Sequence, residues 1–209
     1  MTPLVLALDT TQENGSLALV RGVETIAESA IHSSDGFAHA IYGHLERLLE
    51  RCGIGLKEID VFAAASGPGS FTGVRVGLAS IKGLAEALGK PAAGVSNLRA
   101  IASFGTAPLR APVLDARRGE VYGAIYDAGG ALVQRETVGK FESWLAGLPK
   151  AGIEILSPDY TAEGVAIIRT QRELAAAVAR LAPAEAGDPA ALDANYVRRS
   201  DAELFWKEW

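Results

Sequence analysis

The sequence holds a single cysteine, Cys52, among 209 residues. That excludes a disulfide framework within the chain and fits a reducing compartment. Histidine is scarce as well: His32, His39 and His44 are the full set of three. His39 and His44 stand five apart, about 140° round a helix, so they do not converge on a metal as an i, i+4 pair would. They read as surface or cap residues. Long apolar runs are missing, since Leu4-Val5-Leu6-Ala7-Leu8 is cut by Asp9, far short of a signal core or a membrane span. The sequence therefore predicts a cytoplasmic protein that makes no membrane contact. Positive charge is not in excess either. With a net charge of −5, nucleic acid would be held only through a local basic patch or a basic partner.

What is present reads as an ordinary globular chain, 49% hydrophobic and 22% charged, long enough for one large domain or two small lobes. Residues 3–9 form a leucine and β-branched run ending in the turn chemistry of Asp9-Thr10-Thr11-Gln12-Glu13-Asn14-Gly15-Ser16. Two further strands follow at 16–21 and 23–31, joined at Arg21-Gly22. Over 35–52, Phe37, Ile41, Leu45, Leu48 and Cys52 recur at helical spacing. Val61-Phe62-Ala63-Ala64-Ala65 does not alternate, as in a strand covered on both faces. A glycine-rich loop leads into a helix over 71–88, closed by Gly89 with Pro91 beyond. A short strand at 92–95 and a helix at 97–104 complete the first half.

After Pro108 the β pattern returns at 112–115, 120–127 and 131–137, the last two joined by Ala128-Gly129-Gly130. Residues 139–146 and 160–181 read as helices, and 183–190 as a loop. The strand-turn-strand at 112–127 echoes the one at 3–21, down to an aspartate, Asp115 or Asp9, ending each first strand. The expectation is an α/β fold in which a β-β-β-α-β-α lobe over 1–106 is followed by a degenerate second copy over 107–209.

The loop reads ASGPGSFTGVR from Ala65 to Arg75, and two phosphate-binding fingerprints come close to it. A P-loop needs a second glycine five places after the first and then lysine. Counting from Gly67 reaches Thr72 and from Gly69 reaches Val74, with no lysine after either. A dinucleotide fingerprint needs its third glycine at Thr72, and Gly73 stands one place late. The remaining reading is a strand-to-helix turn capped by Ser70, whose helix N-terminus could attract an anion. The helix has two uncharged faces. Val74, Leu78, Ile81, Ala85 and Leu88 make one, and Gly73, Val76, Gly77, Ser80, Gly83, Leu84 and Ala87 the other, with Arg75, Lys82 and Glu86 between them. Either the helix over 35–52 covers the small-residue face or another polypeptide does.

The segments LALDTTQENGSLAL, ASGPGSFTGVRVGLASIKGLAEALGKPAAGVSNLRAIA and VLDARRGEVYGAIYD, in that order, with LDANYVRRSDAE near the end, resemble the TsaB (YeaZ) family. The GPGSFTG-VR run is the specific part. The family is the bacterial partner subunit in making threonylcarbamoyladenosine at position 37 of tRNA. The resemblance implies an acetate-kinase/Hsp70/actin-like (ASKHA, ribonuclease H-like) fold of duplicated lobes, the second one reduced. It implies an inactive paralogue of TsaD, the subunit that transfers threonylcarbamoyl to N6 of adenosine 37 in ANN-decoding tRNAs.

Pairing with TsaD, or with a second copy when alone, would run through the helices at 35–52 and 71–88, using Phe37, Ile41, Leu45, Gly73, Val76, Gly77, Ser80, Gly83, Leu84 and Ala87. The ATPase TsaE is the other implied partner, and tRNA is met indirectly, through the complex. The His-x3-His metal pair of TsaD-like proteins falls on Asn97 and Ile101, so no metal is expected. In this fold phosphates sit between the two ββ turns, here Asp9, Thr10, Thr11, Ser70, Asp115 and Arg117.

The second turn reads Asp-Ala-Arg-Arg-Gly-Glu rather than Asp-x-Gly. No cofactor is therefore expected on the isolated chain, and ATP or ADP with Mg²⁺ only within the complex. The alternative is a small-molecule kinase or ATPase using Asp9 and Asp115. The cluster Asp115, Arg117, Arg118, Glu120 is either a solvated turn or a contact to a partner or an interfacial nucleotide. Arg198 and Arg199 could extend it into a basic strip for tRNA.

Overall fold

The computed structural model describes residues 2–32 and 36–198. Its first half runs β1 (Leu4–Asp9), β2 (Asn14–Arg21), β3 (Glu24–His32), α1 (Phe37–Cys52), β4 (Val61–Gly67), α2 (Phe71–Leu88), β5 (Ala92–Ser96) and α3 (Asn97–Ala102). The second half runs β6 (Leu109–Arg117), β7 (Glu120–Asp127), β8 (Leu132–Lys140), α4 (Phe141–Ala146), β9 (Ile153–Ser157), β10 (Ile168–Arg169) and α5 (Ala175–Leu181).

The strands form two five-stranded sheets, ordered β3-β2-β1-β4-β5 and β8-β7-β6-β9-β10. In each, an antiparallel three-strand meander is followed by two strands added in parallel on its first-strand side. The internal echo thus extends from a ββ unit to a whole sheet, and the fold is an α/β, ASKHA-like pair of duplicated lobes. The second copy is reduced: the six-residue α4 stands where the first copy has the sixteen-residue α1.

β4 has no alternation because both its faces are covered. Val61, Ala63 and Ala65 pack in one core with α3 and α5, while Phe62 and Ala64 pack in the other with α1 and α2. β1 divides the same way, Val5 and Ala7 against Leu4, Leu6 and Leu8. α2 has the bounds its sequence cues predict. Ser70 accepts from the Gly73 N–H at 3.2 Å, and Gly89 closes the helix in the left-handed conformation at φ 62°.

The expected helix over 160–181 exists only as α5. Tyr160, Ala162, Val165 and Ile167 pack against a core at spacings of two and three rather than along one helical stripe, and Gly164 takes a φ of 73°. β9 went unseen because its run, Ile153-Glu154-Ile155-Leu156, is short. α5 does not stay with the second sheet. Ala175–Ala179 share a core with Val5, Ala7, Ala18 and Val20, and the Ala175 N–H donates to Ser16 Oγ at 3.1 Å. Further on, Gly187 bridges to Ala92 of β5. No helix of the described residues is long and apolar enough to cross a membrane.

Candidate functional site

Two features of the surface stand out, a cavity between the lobes and a groove between α1 and α2. The cavity, of about 530 Å³, is bounded by the β1–β2 turn at Thr11 and Glu13, the start of α2 at Ser70 and Phe71, the β6–β7 turn at Asp115 and Arg117, and the chain at Tyr196.

Of the residues expected around a phosphate, Thr11, Ser70, Asp115 and Arg117 line this cavity, whereas Asp9 and Thr10 do not. Asp9 is fully buried; its Oδ1 accepts from the Thr11 N–H at 2.9 Å and the Thr11 hydroxyl at 2.6 Å. Its Oδ2 has no hydrogen-bond partner. Burial pushes its pKa up, opposed by the bonds from Thr11 and Asn97. The Thr10 hydroxyl donates to the Gly73 carbonyl at 2.7 Å.

Asn97 and Ile101, the two positions that correspond to the metal pair of the resemblance, are both engaged inside the fold. The Asn97 amide donates to Thr11 Oγ1 at 2.5 Å and accepts from the Gly67 N–H at 3.0 Å. Ile101 is fully buried in the core. Among the described residues, no group of three or more histidine, cysteine, aspartate or glutamate side chains could hold a metal ion.

A magnesium-held phosphate does not fit these residues. Asp9 lies off the cavity with its pKa raised by burial, and Asp115 accepts from the Arg117 N–H at 2.8 Å. Arg117 and Arg118 take left-handed conformations, φ 63° and 56°, where an Asp-x-Gly turn would carry glycine. Arg198 pairs with Glu120 and donates to the Ala116 carbonyl at 2.9 Å, so it braces this turn instead of joining a free basic strip. Arg199 lies outside the described residues.

Asp9 carries a testable pH dependence. An acid whose folded pKa is raised binds its proton more tightly in the folded state. Stability is therefore highest in acid and falls as pH rises from the ordinary value of 3.8 through the raised one. Asp9→Asn should remove that fall, so its urea midpoint should gain on the wild type as pH rises above 3.8 and level off beyond the raised pKa. Glu28, shifted in the same direction, is present in both proteins and cancels in the difference. A midpoint difference that stays constant with pH would show that Asp9 keeps its charge in the fold.

The ten expected interface residues separate into two sets. Ile41, Leu45, Gly73, Gly77 and Ser80 are buried within the chain. Gly73 and Gly77 face Thr10: a Cβ at Gly73 would collide with the Thr10 carbonyl oxygen, and one at Gly77 would stand 2.5 Å from Thr10 Oγ1. The small-residue face is thus closed at its start by the β1–β2 turn, neither by α1 nor by another chain. That corrects the expectation for these two glycines.

Gly83 and Ala87 are exposed, Val76 and Leu84 half-buried, and Phe37 half-buried against Gly15. The groove, of about 610 Å³, has Leu45, Leu49, Ile54 and Leu84 among its lining and Tyr42 on its edge. Tyr42, 55% exposed, was missed because it lies off the buried stripe of α1. An exposed aromatic on an otherwise polar helix face was the available signal.

A family model described as TsaD: tRNA N6-adenosine threonylcarbamoyltransferase matches residues 28–185. The chain is 33% identical over 133 residues to the tRNA threonylcarbamoyladenosine biosynthesis protein TsaB of Bacillus subtilis, covering 63% of this chain and 58% of that one. Its fold superposes on YeaZ from Pseudomonas aeruginosa with a TM-score of 0.71 at 26% identity, over 85% of this chain and 90% of that one. The chain belongs to the TsaB (YeaZ) family. A second Pseudomonas aeruginosa structure, described as an uncharacterized protein with similarity to peptidase YEAZ, superposes with a TM-score of 0.78 at 25% identity, over 94% of this chain and 100% of that one. The chain spans a little over half the length of the curated TsaB relatives it matches, 58% and 51% for two of them.

Proposed function

We propose that the chain is a non-catalytic docking subunit in tRNA threonylcarbamoyladenosine biosynthesis. It binds TsaD and supports transfer of the threonylcarbamoyl group to N6 of adenosine 37. The observation that carries this reading is the outward face of α1 and α2, where Leu45, Leu49, Leu84 and Tyr42 line an apolar groove and Gly83, next to Leu84 along α2, has open space around it. A transferase subunit of related sequence would present an equivalent pair of helices, and two such pairs bury each other's apolar faces. The internal engagement of Asn97 and Ile101 supports the non-catalytic part. In this reading a second copy takes the partner's place when the chain is alone, TsaE joins the assembled pair, and tRNA is met through TsaD. Nucleotide and Mg²⁺ enter only with the complex. The burial of Asp9 away from the cavity counts against the kinase alternative.

The test is Tyr42→Glu combined with Gly83→Arg, mixed with TsaD of the same organism and followed by light scattering after size exclusion. The wild type should form a one-to-one species. The double variant should bind about 100-fold more weakly, since each change buries an unpaired charge at an apolar contact, while its thermal unfolding midpoint does not fall. Undiminished binding would move the docking surface elsewhere, and a wild-type chain that ignores TsaD would overturn the reading.

A further inference from the structure

In the segment after α5, Leu192 and Ala194 pack on the core of the first lobe. From Asn195 to Arg198 the polar and aromatic contacts alternate between the lobes. The Asn195 N–H donates to the Ser66 carbonyl at 2.8 Å, at the end of β4. Its side-chain amide reaches across to Glu136 of β8, donating to Oε2 at 2.6 Å. The Tyr196 ring lies against Phe71 with centroids 5.5 Å apart, and its hydroxyl accepts from Arg75 Nε at 2.8 Å. The Arg75 guanidinium in turn stacks on Phe71 at 3.6 Å. Arg198 then grips the β6–β7 turn through the Ala116 carbonyl and Glu120.

These four residues also form one wall of the interlobe cavity. We propose that residues 195–198 are a strap that couples the first turns of α2 to the β6–β7 turn and sets how far the cavity opens. Segments held by exposed hydrogen bonds and few buried apolar contacts open at a small fraction of the global unfolding free energy. The strap is held by part-buried and exposed hydrogen bonds, whereas β1 and β4 beside it are buried along their length. Its two ends act on different lobes, so loosening either end loosens the other. Arg75 stands on the exposed side of α2, and on the docking reading above a partner there would pull on the strap. The coupling itself does not rest on that reading.

Hydrogen exchange on the full chain tests it through Arg75→Ala, which bonds only to Tyr196 and stacks only on Phe71 and Tyr196 among the described residues. Amides of residues 116–121, at the far end of the strap, should exchange about two- to fivefold faster, the factor expected from losing one exposed cation–π contact. Arg198→Ala should speed the same amides. Amides of β1 serve as the internal control for global unfolding and should not change. If Arg75→Ala alters exchange only near residues 67–76, the ends are independent and the strap couples nothing. If Arg198→Ala also leaves the turn unchanged, the tail does not hold it at all.

Discussion

Gly73→Val is expected to remove about 3 kcal/mol or more of stability, a large share of what a domain of this size possesses. The reason is local and rigid. A Cβ at Gly73 would fall on the Thr10 carbonyl oxygen, and Thr10 cannot retreat: its hydroxyl is bonded to the Gly73 carbonyl at 2.7 Å. Beyond it, Thr11 is held to Asp9 through both its N–H and its hydroxyl. The obstacle is therefore backbone pinned on two sides, not a side chain free to rotate.

Gly77→Leu should fare better but still lose stability, because its obstacle is the Thr10 hydroxyl at 2.5 Å. Gly83→Ala should gain up to about 1 kcal/mol, as an open helical site where alanine replaces glycine. Urea denaturation followed by circular dichroism ranks the three. A wild-type midpoint for Gly73→Val would mean that α2 does not approach the β1–β2 turn as described. The same ranking explains why Gly83, and not Gly77, is the position for probing partner binding.

Asn97→Leu should lose about 2–3 kcal/mol, because it strands one buried donor, worth about 1–3 kcal/mol, and takes one of two bonds from a buried hydroxyl. The Gly67 N–H loses its acceptor and Thr11 Oγ1 loses its donor. A third effect follows at Asp9, whose carboxylate is stabilised in part through Asn97. Its pKa should climb further, so the pH-dependent loss described for the wild type should extend to higher pH and grow in total. Urea midpoints at pH 5 and pH 8 measure both the size of the loss and its slope. A small loss with unchanged slope would show that the amide is not what ties α3 to the β4–α2 loop and to the turn after β1.

Where several local cues agree, the sequence was enough. α2 has both bounds as read because Ser70, Gly89 and the apolar repeat all favour the same helix. β7 has both bounds as read, between Gly119 and the Gly129-Gly130 turn. The stretch from 153 to 174 defeated the reading because its apolar residues serve short strands and irregular chain, and no helix cap or hairpin turn punctuates them.

Gly73, Gly77 and Gly83 look alike along the helix. What divides them is the position of Thr10, 63 residues from Gly73 in sequence, which no periodicity reports. Asn97 was noticed for what it is not, a metal ligand. Its bond to Thr11, across 86 residues, was invisible for the same reason. Arg198 was read with Arg117 and Arg118 as positive charge, because sequence counts a charge without showing the glutamate that answers it.

The return of α5 to the first sheet has a consequence for how the chain is made. When α3 leaves the ribosome, one face of β1, β2 and β4 still lacks the helix that will cover it. At about 5–20 residues per second, the roughly 70 residues between α3 and α5 take several seconds to follow. During that interval Val5, Ala18, Val20 and Val61 have no cover from α5. The nascent first lobe is thus the stage at which a holdase chaperone would find this protein. The emergence of α5, rather than completion of the first sheet, is the event that closes this core.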